Sequence, residues 1–515
     1  MTFQDKPNKK PGRIVMIYPQ QGFSGTYVKH MPLSLLYAVS EAVKAGYDAV
    51  ILDTRVAPDW KGDLRRLLAE GTLCVGISVM SGAPIRHAVA IGRFVKSLAP
   101  DVPVVWGGPH ATFDPLSILS GDPNCDYVVS GYGAHTFHLL CDALAAQKSP
   151  SDIAGVSWRE EGGIRSNAKP AKSFEHIDFR DIPYRLISDY GVYGQLGQGR
   201  RIFSMYSAYG CPYRCSFCSS PAQYAEIDGK KWLALSATEV VDHIEHVVKT
   251  YGANYIYFID DDSFPSLKHV EAVIDEIAAR SLAVKLGFRG ARINEILRMS
   301  DEFLDKLTRA GTDILHIGAE SGSDRILALL RKDCTSEDIL ACNRKLARHA
   351  EITAAYNFIM GVPTETLDEL KATRDLMLRL VEDHPNCLVF PPNTFRPLPG
   401  TELYELATRE WKRPMPASLA DWENIEVEGS FSGAWQDRKK QSFGHLLLIA
   451  SYFVDNKAAR VKPGLGWFGW LAKAIHFVYR PFALFRLRHG FDAWLWEYPV
   501  YRLLSRLLSR FNTSA

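Results

Sequence analysis

The sequence predicts an α/β protein with a doubly wound parallel sheet at the N-terminus, a partial (β/α)6 barrel after it and a helical, basic C-terminal region. Two series of alternating apolar and helical segments predict the sheet and the barrel. A polar, proline-containing stretch between the two series predicts a linker, and a late excess of Lys, Arg and Trp marks the C-terminal region. The predicted parts are residues 10–150, 151–199, 200–430 and 431–515.

The composition is that of a folded enzyme with several domains. The 515 residues allow about three domains at roughly 150 residues each. Lys and Arg number 60 against 58 Asp and Glu, and 47% of the residues are hydrophobic, which disfavours a nucleic-acid coat or a disordered chain. The polar start lacks a signal-peptide hydrophobic region, and no apolar run reaches the roughly eighteen residues of a membrane-spanning helix. We therefore expect a cytoplasmic protein that binds no nucleic acid.

Five short apolar runs in the first part predict parallel strands joined by crossover helices, a Rossmann-like arrangement. Such a sheet binds ligands at the carboxyl ends of its strands. Ser78 lies at the end of the third run and Gly107 and Gly108 end the fourth, so a large flat ligand can approach there. The alternative is that each glycine only makes a tight turn. The runs are residues 13–19, 48–53, 73–79, 103–108 and 126–131.

Residues 151–199 interrupt the alternation with a predicted hairpin (156–166) and a polar stretch that is typical of a linker. Six strand–helix repeats in one direction follow, which predicts a complete or partial β/α barrel. The predicted strands are 202–210, 255–262, 284–292, 314–321, 353–361 and 387–401, with helices near 237–251, 268–281, 301–310, 336–350 and 366–383.

Three cysteines, Cys211, Cys215 and Cys218, lie within eight residues directly after the first barrel strand. Thiolates at this spacing can hold one face of an iron–sulfur cube and leave one iron without a protein ligand. A zinc knuckle is the alternative, but it needs a fourth Cys or His, and the following segment SSPAQYAEIDG has neither. The six other cysteines are scattered and are predicted to be small core residues: Cys74, Cys125, Cys141, Cys334, Cys342 and Cys387.

The Cys-x3-Cys-x2-Cys pattern, with Phe217 before the last cysteine, resembles that of the radical S-adenosylmethionine enzymes. The resemblance implies a [4Fe-4S] cluster whose open iron is chelated by the amino and carboxylate groups of S-adenosylmethionine. It also implies that electron transfer from the reduced cluster yields a 5′-deoxyadenosyl radical, which abstracts a hydrogen atom from the substrate. A flavodoxin or ferredoxin is then the expected electron donor.

Further barrel motifs resemble the same family. Asp260 and Asp262 end the second predicted strand, where the family places polar groups near the methionyl amine; helix capping is the alternative. Arg289 and Arg292, at the preceding strand end before the fourth strand, are candidates to pair with the ligand carboxylate or with these aspartates.

The segment 317–322 resembles the signature of the family's fourth strand. The resemblance implies that Glu320 and Ser321 face the ribose and the methionyl end of S-adenosylmethionine. Segments 358–366 and 397–403 match patterns of the subfamily that carries an extra N-terminal domain. The cofactor-binding residues predicted in this way are Phe217, Asp260, Asp262, Glu320, Ser321 and Arg289.

The N-terminal sheet resembles the cobalamin-binding domain of that subfamily through segments 32–35, 46–53 and 107–112. Ser78, Gly107 and Gly108 are the predicted cobalamin-binding residues. Two features depart from the family pattern. Residues 131–134 read Gly-Tyr-Gly-Ala in place of Gly-Glu-Gly-Glu, and residues 18–25 lack Asp-x-His-x-x-Gly. We therefore expect cobalt to have no imidazole from the protein as its lower ligand, and His110 is interpreted as a core or loop histidine.

The segment 460–515 carries nine Lys and Arg against two acidic residues, a local charge of +7, and four of the eleven tryptophans. Within residues 501–511 arginine recurs every fourth position and leucines fill the other side, which predicts an amphipathic basic helix. Such a helix suits an anionic membrane surface or a groove on a partner. The alternative is a tail packed on the barrel with solvated arginines.

Together these features predict a cobalamin-dependent radical S-adenosylmethionine methyltransferase that acts on an unactivated carbon. The tail favours a hydrophobic or membrane-associated small-molecule substrate, lipid-like or lipid-linked, and peripheral contact with the inner face of the membrane. Two alternatives remain: an oxidative cyclase or other radical enzyme without methyl transfer, and a non-catalytic cobalamin or redox sensor.

Overall fold

The computed structural model describes residues 10–20, 28–168, 173–195, 200–225, 227–411, 416–423, 425, 437–455, 466–501 and 503. The predicted fold class is confirmed: an N-terminal sheet domain, a partial barrel and a helical C-terminal region follow one another.

The N-terminal part and the segment after it contain nine strands and six α-helices among the described residues. In chain order they are β1 (Arg13–Tyr18), β2 (Val28–Lys29), α1 (Leu33–Lys44), β3 (Asp48–Asp53), α2 (Trp60–Ala69), β4 (Thr72–Ser78), α3 (Ala83–Leu98), β5 (Val104–Gly107), α4 (Pro109–Phe113), α5 (Pro115–Gly121), β6 (Tyr127–Val129), α6 (Gly133–Ala145), β7 (Val156–Glu160), β8 (Gly163–Ser166) and β9 (Gly194–Gln195).

The first sheet has the order β3-β1-β4-β5-β6-β7-β8. Strands β3, β1, β4, β5 and β6 are parallel and correspond to the five apolar runs. The hairpin predicted in the linker, β7 and β8, instead extends this sheet, because Val156 pairs with Val129 of β6. The sheet is buried on both faces: Val15 and Ile17 pack into one core, and Ile14 and Met16 pack into the other.

The carboxyl end of β5 passes very close to the end of β4. Gly108 has φ of +95°, and a Cβ at this position would lie 2.9 Å from the backbone nitrogen and oxygen of Val79. Only glycine fits both constraints. The turn at Gly108 therefore positions the start of α4 against the end of β4.

The linker packs on the barrel. The linker between the two domains contains two short 3-10 turns, Phe179–Asp181 and Tyr184–Leu186. The Tyr184 hydroxyl and His243 Nε2 are hydrogen bonded at 2.8 Å, and the Phe179 ring stacks on His243 at 5.0 Å. Both linker rings thus belong to the barrel's hydrophobic core.

The barrel and the C-terminal region contain the remaining described elements. These are β10 (Ile202–Met205), β11 (Ala208–Gly210), α7 (Ser219–Tyr224), β12 (Trp232–Ala234), α8 (Ala237–Tyr251), β13 (Tyr255–Phe258), α9 (Leu267–Ala279), β14 (Lys285–Ala291), α10 (Ile293–Arg298), α11 (Asp301–Arg309), β15 (Thr312–Glu320), α12 (Asp324–Leu329), α13 (Ser336–Ala347), β16 (Thr353–Met360), α14 (Leu367–Asp383), β17 (Leu388–Val389), β18 (Asn393–Thr394), α15 (Glu402–Arg409), α16 (Leu419–Glu423), α17 (Arg438–Ala450) and α18 (Gly466–His489).

The barrel strands are parallel and have the order β10-β13-β14-β15-β16-β17, with β18 also paired to β16. Strands β10 and β17 are the two edges of this sheet in the described part of the chain. The six-stranded partial barrel is therefore confirmed.

Two predicted barrel strands are shorter than the sequence indicated. The predicted strand 202–210 divides into β10 and β11, because the backbone nitrogens of Ser207 and Ala208 donate to the Asp260 carboxylate instead of to a neighbouring strand. The predicted strand 387–401 is reduced to the two-residue strands β17 and β18. Pro391 and Pro392 separate them, and proline has no N–H for a ladder.

The chain after the barrel returns to the N-terminal domain. In α16, Leu419 and Trp422 are buried in the core that contains Val15 and Trp106. Gly121 of α5 leaves no room for a side chain, since a Cβ there would lie 2.7 Å from Leu419 Cβ. This segment therefore ties the two domains together, a contact that the sequence did not predict.

The described part of the tail combines a buried face and an exposed face. Ala483 and Leu487 of α18 are buried in the barrel core, and Arg486, 2% exposed, is paired with Glu497 at 3.4 Å. Other side chains of the same helix are largely exposed. The predicted amphipathic helix at 501–511 lies outside the described residues apart from positions 501 and 503. No described helix has the length and apolarity required to cross a bilayer.

Candidate functional site

The three clustered cysteines lie on the loop between β11 and α7, and all three are half-buried. Ser216, in the middle of this loop, fixes its path. The Ser216 backbone donates to the carbonyl of Leu330 at 3.2 Å, its hydroxyl donates to the carbonyl of Leu329 at 2.7 Å, and its own carbonyl accepts from Leu403. The loop is thus held between the end of α12 and the start of α15.

Phe217 anchors the same loop through apolar packing. Its ring is partly buried against a small cluster, and the cysteines on either side of it stay partly exposed. The aromatic residue before Cys218 thus holds the loop in place by packing against the barrel. The cluster members are Ile326, Leu330, Val362, Phe395 and Leu403.

Arg292 connects the cysteine loop to the barrel. Its guanidinium donates to Cys215 Sγ at 2.9 Å and to the Lys332 carbonyl at 2.7 Å, and it lies 3.9 Å from the centroid of the Tyr213 ring. The Tyr213 hydroxyl in turn donates to Glu295 at 2.6 Å. Since Arg292 is only 6% exposed, a buried positive charge lies directly beside one of the three sulfurs.

The thiols are suited to a cluster rather than to a single metal ion. Burial raises the pKa of Cys211 and of Cys218, with Asp262 and the neighbouring thiol adding to the effect at Cys211, so both lose a proton readily only when a metal coordinates the sulfur. In a cube each thiolate binds a different iron, and this donor set fits that requirement.

Asp260 and Asp262 are buried at the end of β13. Both oxygens of Asp260 accept hydrogen bonds within the barrel, from the Ser207 backbone at 2.8 Å, the Ser207 hydroxyl at 2.6 Å and the Ala208 backbone at 3.2 Å. Burial raises the pKa of Asp260 to about 6, and burial next to Glu295 raises that of Asp262. These contacts make Asp260 a brace between β10 and β11; its predicted role at the methionyl amine stays a prediction.

Glu320 ends β15 in a left-handed conformation, with φ of +62°. Its carboxylate accepts from Lys332 Nζ at 3.1 Å, and both side chains are less than a tenth exposed. Burial alone would lower the pKa of Lys332, but the Glu320 carboxylate raises it. A Cβ on Gly318 would lie 2.3 Å from the Glu320 carboxylate, so glycine is required for this pair to form.

Ser321, which the resemblance implies to face S-adenosylmethionine, lies in the turn after β15. It is fully buried, its hydroxyl lies 3.2 Å from that of Thr373 in α14, and it accepts from the Ser323 backbone at 3.1 Å. These contacts fix the turn after β15. The implied role of Ser321 at S-adenosylmethionine stays a prediction.

Arg289 does not lie with Arg292 at the cysteine loop. Its side chain is exposed on β14, and its charge acts on His30, His316 and Tyr257. In the part of the chain that the structure describes, it forms no ion pair with a carboxylate. The sequence grouped the two arginines because they are three residues apart, and the structure separates them.

The predicted cobalamin residues lie together at the carboxyl edge of the first sheet. Ser78 pairs with Gly107 across β4 and β5, and a Cβ on Gly108 would lie 3.0 Å from Ser78 Oγ. Gly107 has more room, because the nearest atom to an added Cβ is 3.8 Å away. The residues at these two strand ends thus carry only small side chains or none, at the position expected for a flat ligand.

His110 is a core residue, as interpreted from the sequence. It is fully buried, its Nδ1 lies 3.0 Å from Ser81 Oγ, and its ring contacts Trp422 edge-on at 5.5 Å. Burial lowers the pKa of His110 to about 4. The indole that the returning α16 helix supplies covers this imidazole.

Sequence reasoning missed two residues of the site, Lys332 and Tyr213. Lys332 follows α12 in a segment with no motif, and its pairing with Glu320 depends on the turn after the helix. Tyr213 lies between Cys211 and Cys215, and this position inside the cysteine loop was the only sequence signal for a role in the site. Its contacts with Arg292 and Glu295 require the folded barrel.

Two family models match the chain: the radical SAM superfamily over residues 205–377 and the B12 binding domain over residues 26–140. An uncharacterized methyltransferase of Pyrococcus horikoshii is 28% identical over 390 residues, which cover 74% of this chain and 81% of that protein. The anaerobic magnesium-protoporphyrin IX monomethyl ester cyclase of Rubrivivax gelatinosus is 26% identical, with 75% of this chain and 69% of the relative covered.

A solved structure has the same fold. The radical S-adenosylmethionine methyltransferase TsrM of Kitasatospora setae, solved with cobalamin and a [4Fe-4S] cluster, superimposes with a TM-score of 0.61 at 20% identity, and the match covers 81% of this chain and 82% of that one.

The cysteine loop at the strand ends of a partial barrel, together with the family matches, defines a radical S-adenosylmethionine enzyme. With its B12-binding domain in front of the barrel, the chain belongs to the cobalamin-binding group of that family. Its cofactors are a [4Fe-4S] cluster, S-adenosylmethionine and cobalamin.

We predict that replacing Cys211, Cys215 or Cys218 by Ala abolishes cluster binding. Anaerobic reconstitution of the unchanged chain is expected to give about four irons per chain with the spectrum of a cube. Cys334→Ala is the matched control, because that thiol is also half-buried but lies outside the loop. Iron and sulfide analysis provides the measurement, and stoichiometric zinc without iron would contradict the assignment.

Proposed function

We propose that the protein transfers a methyl group from S-adenosylmethionine, by way of cobalamin, to an unactivated carbon of a hydrophobic small molecule. The observation that carries this proposal is that the ligand-binding edges of the two domains adjoin. Phe174 contacts Tyr132, at the end of β6, at 6.1 Å and Tyr224 of α7 at 5.6 Å. A Cβ on Gly400, in the barrel, would lie 3.0 Å from Phe113 of α4.

When bound, the cluster and S-adenosylmethionine supply a hydrogen-abstracting radical, and cobalamin supplies a transferable methyl group. The chain's own residues enclose the space between these groups. Tyr37 of α1 meets Tyr206 of the barrel at 5.8 Å, and Tyr206 meets Tyr209 at 5.7 Å. The Tyr224 hydroxyl donates to Asp261. Aromatic side chains at this junction exclude water, which protects a reactive intermediate.

The corrinoid is proposed to bind at Ser78, Gly107 and Gly108 without an imidazole of the protein as lower ligand. Two described histidines of the first domain support this because both are engaged elsewhere. His110 is buried beneath Trp422, and His87 Nδ1 accepts from the Gln20 backbone at 2.9 Å. The carboxyl groups that many relatives carry after β6 are replaced by Tyr132 and Ala134.

An oxidative radical reaction without methyl transfer is the second candidate. The similarity to an anaerobic cyclase of magnesium-protoporphyrin ester favours it, since that relative shares most of the chain. A non-catalytic sensor has no comparable support, because it needs neither the cysteine loop nor the buried Glu320–Lys332 pair.

We predict that the holoenzyme transfers label from S-adenosyl-[methyl-D3]methionine to a metabolite. The reaction would use an extract of cells that lack this protein, a chemical or flavodoxin reductant and strict anaerobiosis. Mass spectrometry is expected to show a product in which a trideuteromethyl group replaces one hydrogen, and protein reconstituted with the cluster but without cobalamin should not form it. A product that lacks the label but has lost hydrogen atoms would favour the cyclase reaction instead.

The exposed face of α18 supports the proposed contact with an anionic membrane. Trp470, Phe477 and Val478 are 73%, 83% and 77% exposed, and Trp494 just after the helix is 89% exposed. No Asp or Glu occurs between residues 466 and 489. The groove on this face is lined by cations and rings, among them Lys473, Arg480, Arg488, Phe477 and Phe485. Arg488 also pairs with Glu382 at 3.0 Å. Exposed aromatic side chains next to cations suit the interface of an anionic bilayer.

We predict that the full chain co-sediments with phosphatidylglycerol-containing vesicles in low salt. The double variant Phe477→Asp, Trp494→Asp should lose this binding, and salt should weaken it in the unchanged chain, because each Lys or Arg near an anionic surface contributes about 1 kcal/mol. Leu116→Asp, at a 52% exposed site on α5, is the control and should bind normally. Equal binding of the double variant would show that this face does not contact the membrane.

A further inference from the structure

The interior of the barrel contains a line of four rings that crosses from one edge strand to the other. His30, just before α1, stacks on Tyr257 at 5.1 Å; Tyr257 meets His316 edge-on at 6.0 Å; and His316 stacks on Phe390 at 5.8 Å. At one end His30 Nδ1 lies 3.3 Å from the Ser204 hydroxyl of β10. At the other end Phe390 directly follows β17. We call these four rings the aromatic floor.

Arg289 projects into the barrel interior beside this floor. On β14, Leu286 and Phe288 point outward into the core, and a Cβ on Gly287 would lie 2.7 Å from the Tyr255 hydroxyl and 2.8 Å from the Tyr257 ring. Gly287 therefore faces inward, and Arg289, two residues later on the same strand, faces inward as well. Phe288 pairs with Leu315 of β15, and the charge of Arg289 acts on the next residue of that strand, His316.

The guanidinium of Arg289 is exposed and has no counter-ion among the described residues. In the described chain no carboxylate pairs with it, and Asp261, at the nearest strand end, already accepts from Tyr224. The two imidazoles of the floor do not compete for an anion. Burial, together with the charge of Arg289, lowers the pKa of His30 and of His316 to about 4, so both rings are neutral near pH 7.

The floor lies deeper in the barrel than the cofactor layer. His316 precedes Glu320 by four residues on β15, which at about 3.3 Å per residue is about 13 Å along the strand. The His316 nitrogens form no hydrogen bond with any described residue. Arg289 lies between the two levels, because a Cβ on the next residue, Gly290, would lie 2.8 Å from the Asp261 carbonyl oxygen. A molecule that enters from the cofactor side thus meets the Arg289 cation first, and then the flat rings and the His316 nitrogens.

We propose that the aromatic floor and Arg289 bind the substrate, and that the substrate carries an oxyanion, a carboxylate or a phosphate, on a flat unsaturated or aromatic body. Arg289 binds the oxyanion through its planar fork of N–H donors, and the floor stacks against the body of the molecule. The reacting carbon then points toward the cysteine loop. The proposal deepens the proposed function, since it names the substrate class of that same site.

Three probes of one shape test this recognition on the reconstituted holoenzyme: 2-naphthoate, 2-naphthyl phosphate and the neutral 2-naphthamide. Calorimetry is expected to show that at least one anion binds at least tenfold more tightly than the amide. The anion with the higher affinity identifies the carboxylate or the phosphate as the natural group. Equal affinity for all three probes would overturn the proposal.

Variants separate the cation from the rings. Arg289→Gln should reduce the affinity for the preferred anion at least tenfold, to the level of the amide, and Arg289→Lys should restore part of it. Phe390→Leu should reduce the affinity for the anion and the affinity for the amide by the same factor. Arg298→Gln is the matched control, because Arg298 is exposed on the outer helix α10, and it should bind all probes normally. Iron content confirms that each variant retains its cluster.

The resemblance to the family assigns Arg289 to S-adenosylmethionine instead, and the same variant decides between the two ligands. If Arg289→Gln raises the KM for S-adenosylmethionine in reductive cleavage and leaves anion binding intact, the proposal is wrong. Probe binding needs no turnover, so a failure of methyl transfer would leave these results unaffected and would count only against the proposed reaction.

Discussion

The structure depends most on one buried guanidinium, that of Arg292. It joins the sulfur of Cys215, the chain after α12 through the Lys332 carbonyl, and the ring of Tyr213. Hydrogen bonds to charged groups contribute about 1.5–3 kcal/mol each, and a buried cation without such partners is strongly destabilising. The cysteine loop therefore has one favourable position relative to the strand ends, and Lys332 is thereby held where it pairs with Glu320.

Both domains contribute residues to the candidate site. The N-terminal domain supplies the small-residue edge at Gly107 and Gly108, and its His30 also stacks on Tyr257 inside the barrel. In return, the chain after the barrel places Trp422 over His110. Because each domain buries side chains of the other, the edges predicted to bind the two cofactors are held next to each other, which the proposed reaction between them requires.

The sequence predicted the parts of this structure that depend on local pattern. Apolar runs predicted the parallel strands, and the spacing of Cys211, Cys215 and Cys218 predicted the cluster loop. Contacts set by tertiary packing were not predictable: Asp260 interrupts the first barrel strand by binding the Ser207 backbone, and Ser321 turns toward Thr373. Arg289 and Arg292 show this limit of sequence reasoning. They are only three residues apart, but Arg289 lies on β14 and Arg292 lies at the start of α10, so their side chains have different surroundings.

The central claim is that Arg292 controls the cluster loop, and the reduction potential of the cluster tests it most directly. Hydrogen bonds and positive charge near the sulfurs favour the reduced state, so Arg292→Met should shift the potential to a more negative value or release iron, and Arg292→Lys should have a smaller effect. Arg298→Met, on the exposed end of α10, serves as the control. Spectroelectrochemistry that gave Arg292→Met the potential and iron content of the unchanged protein would contradict the account.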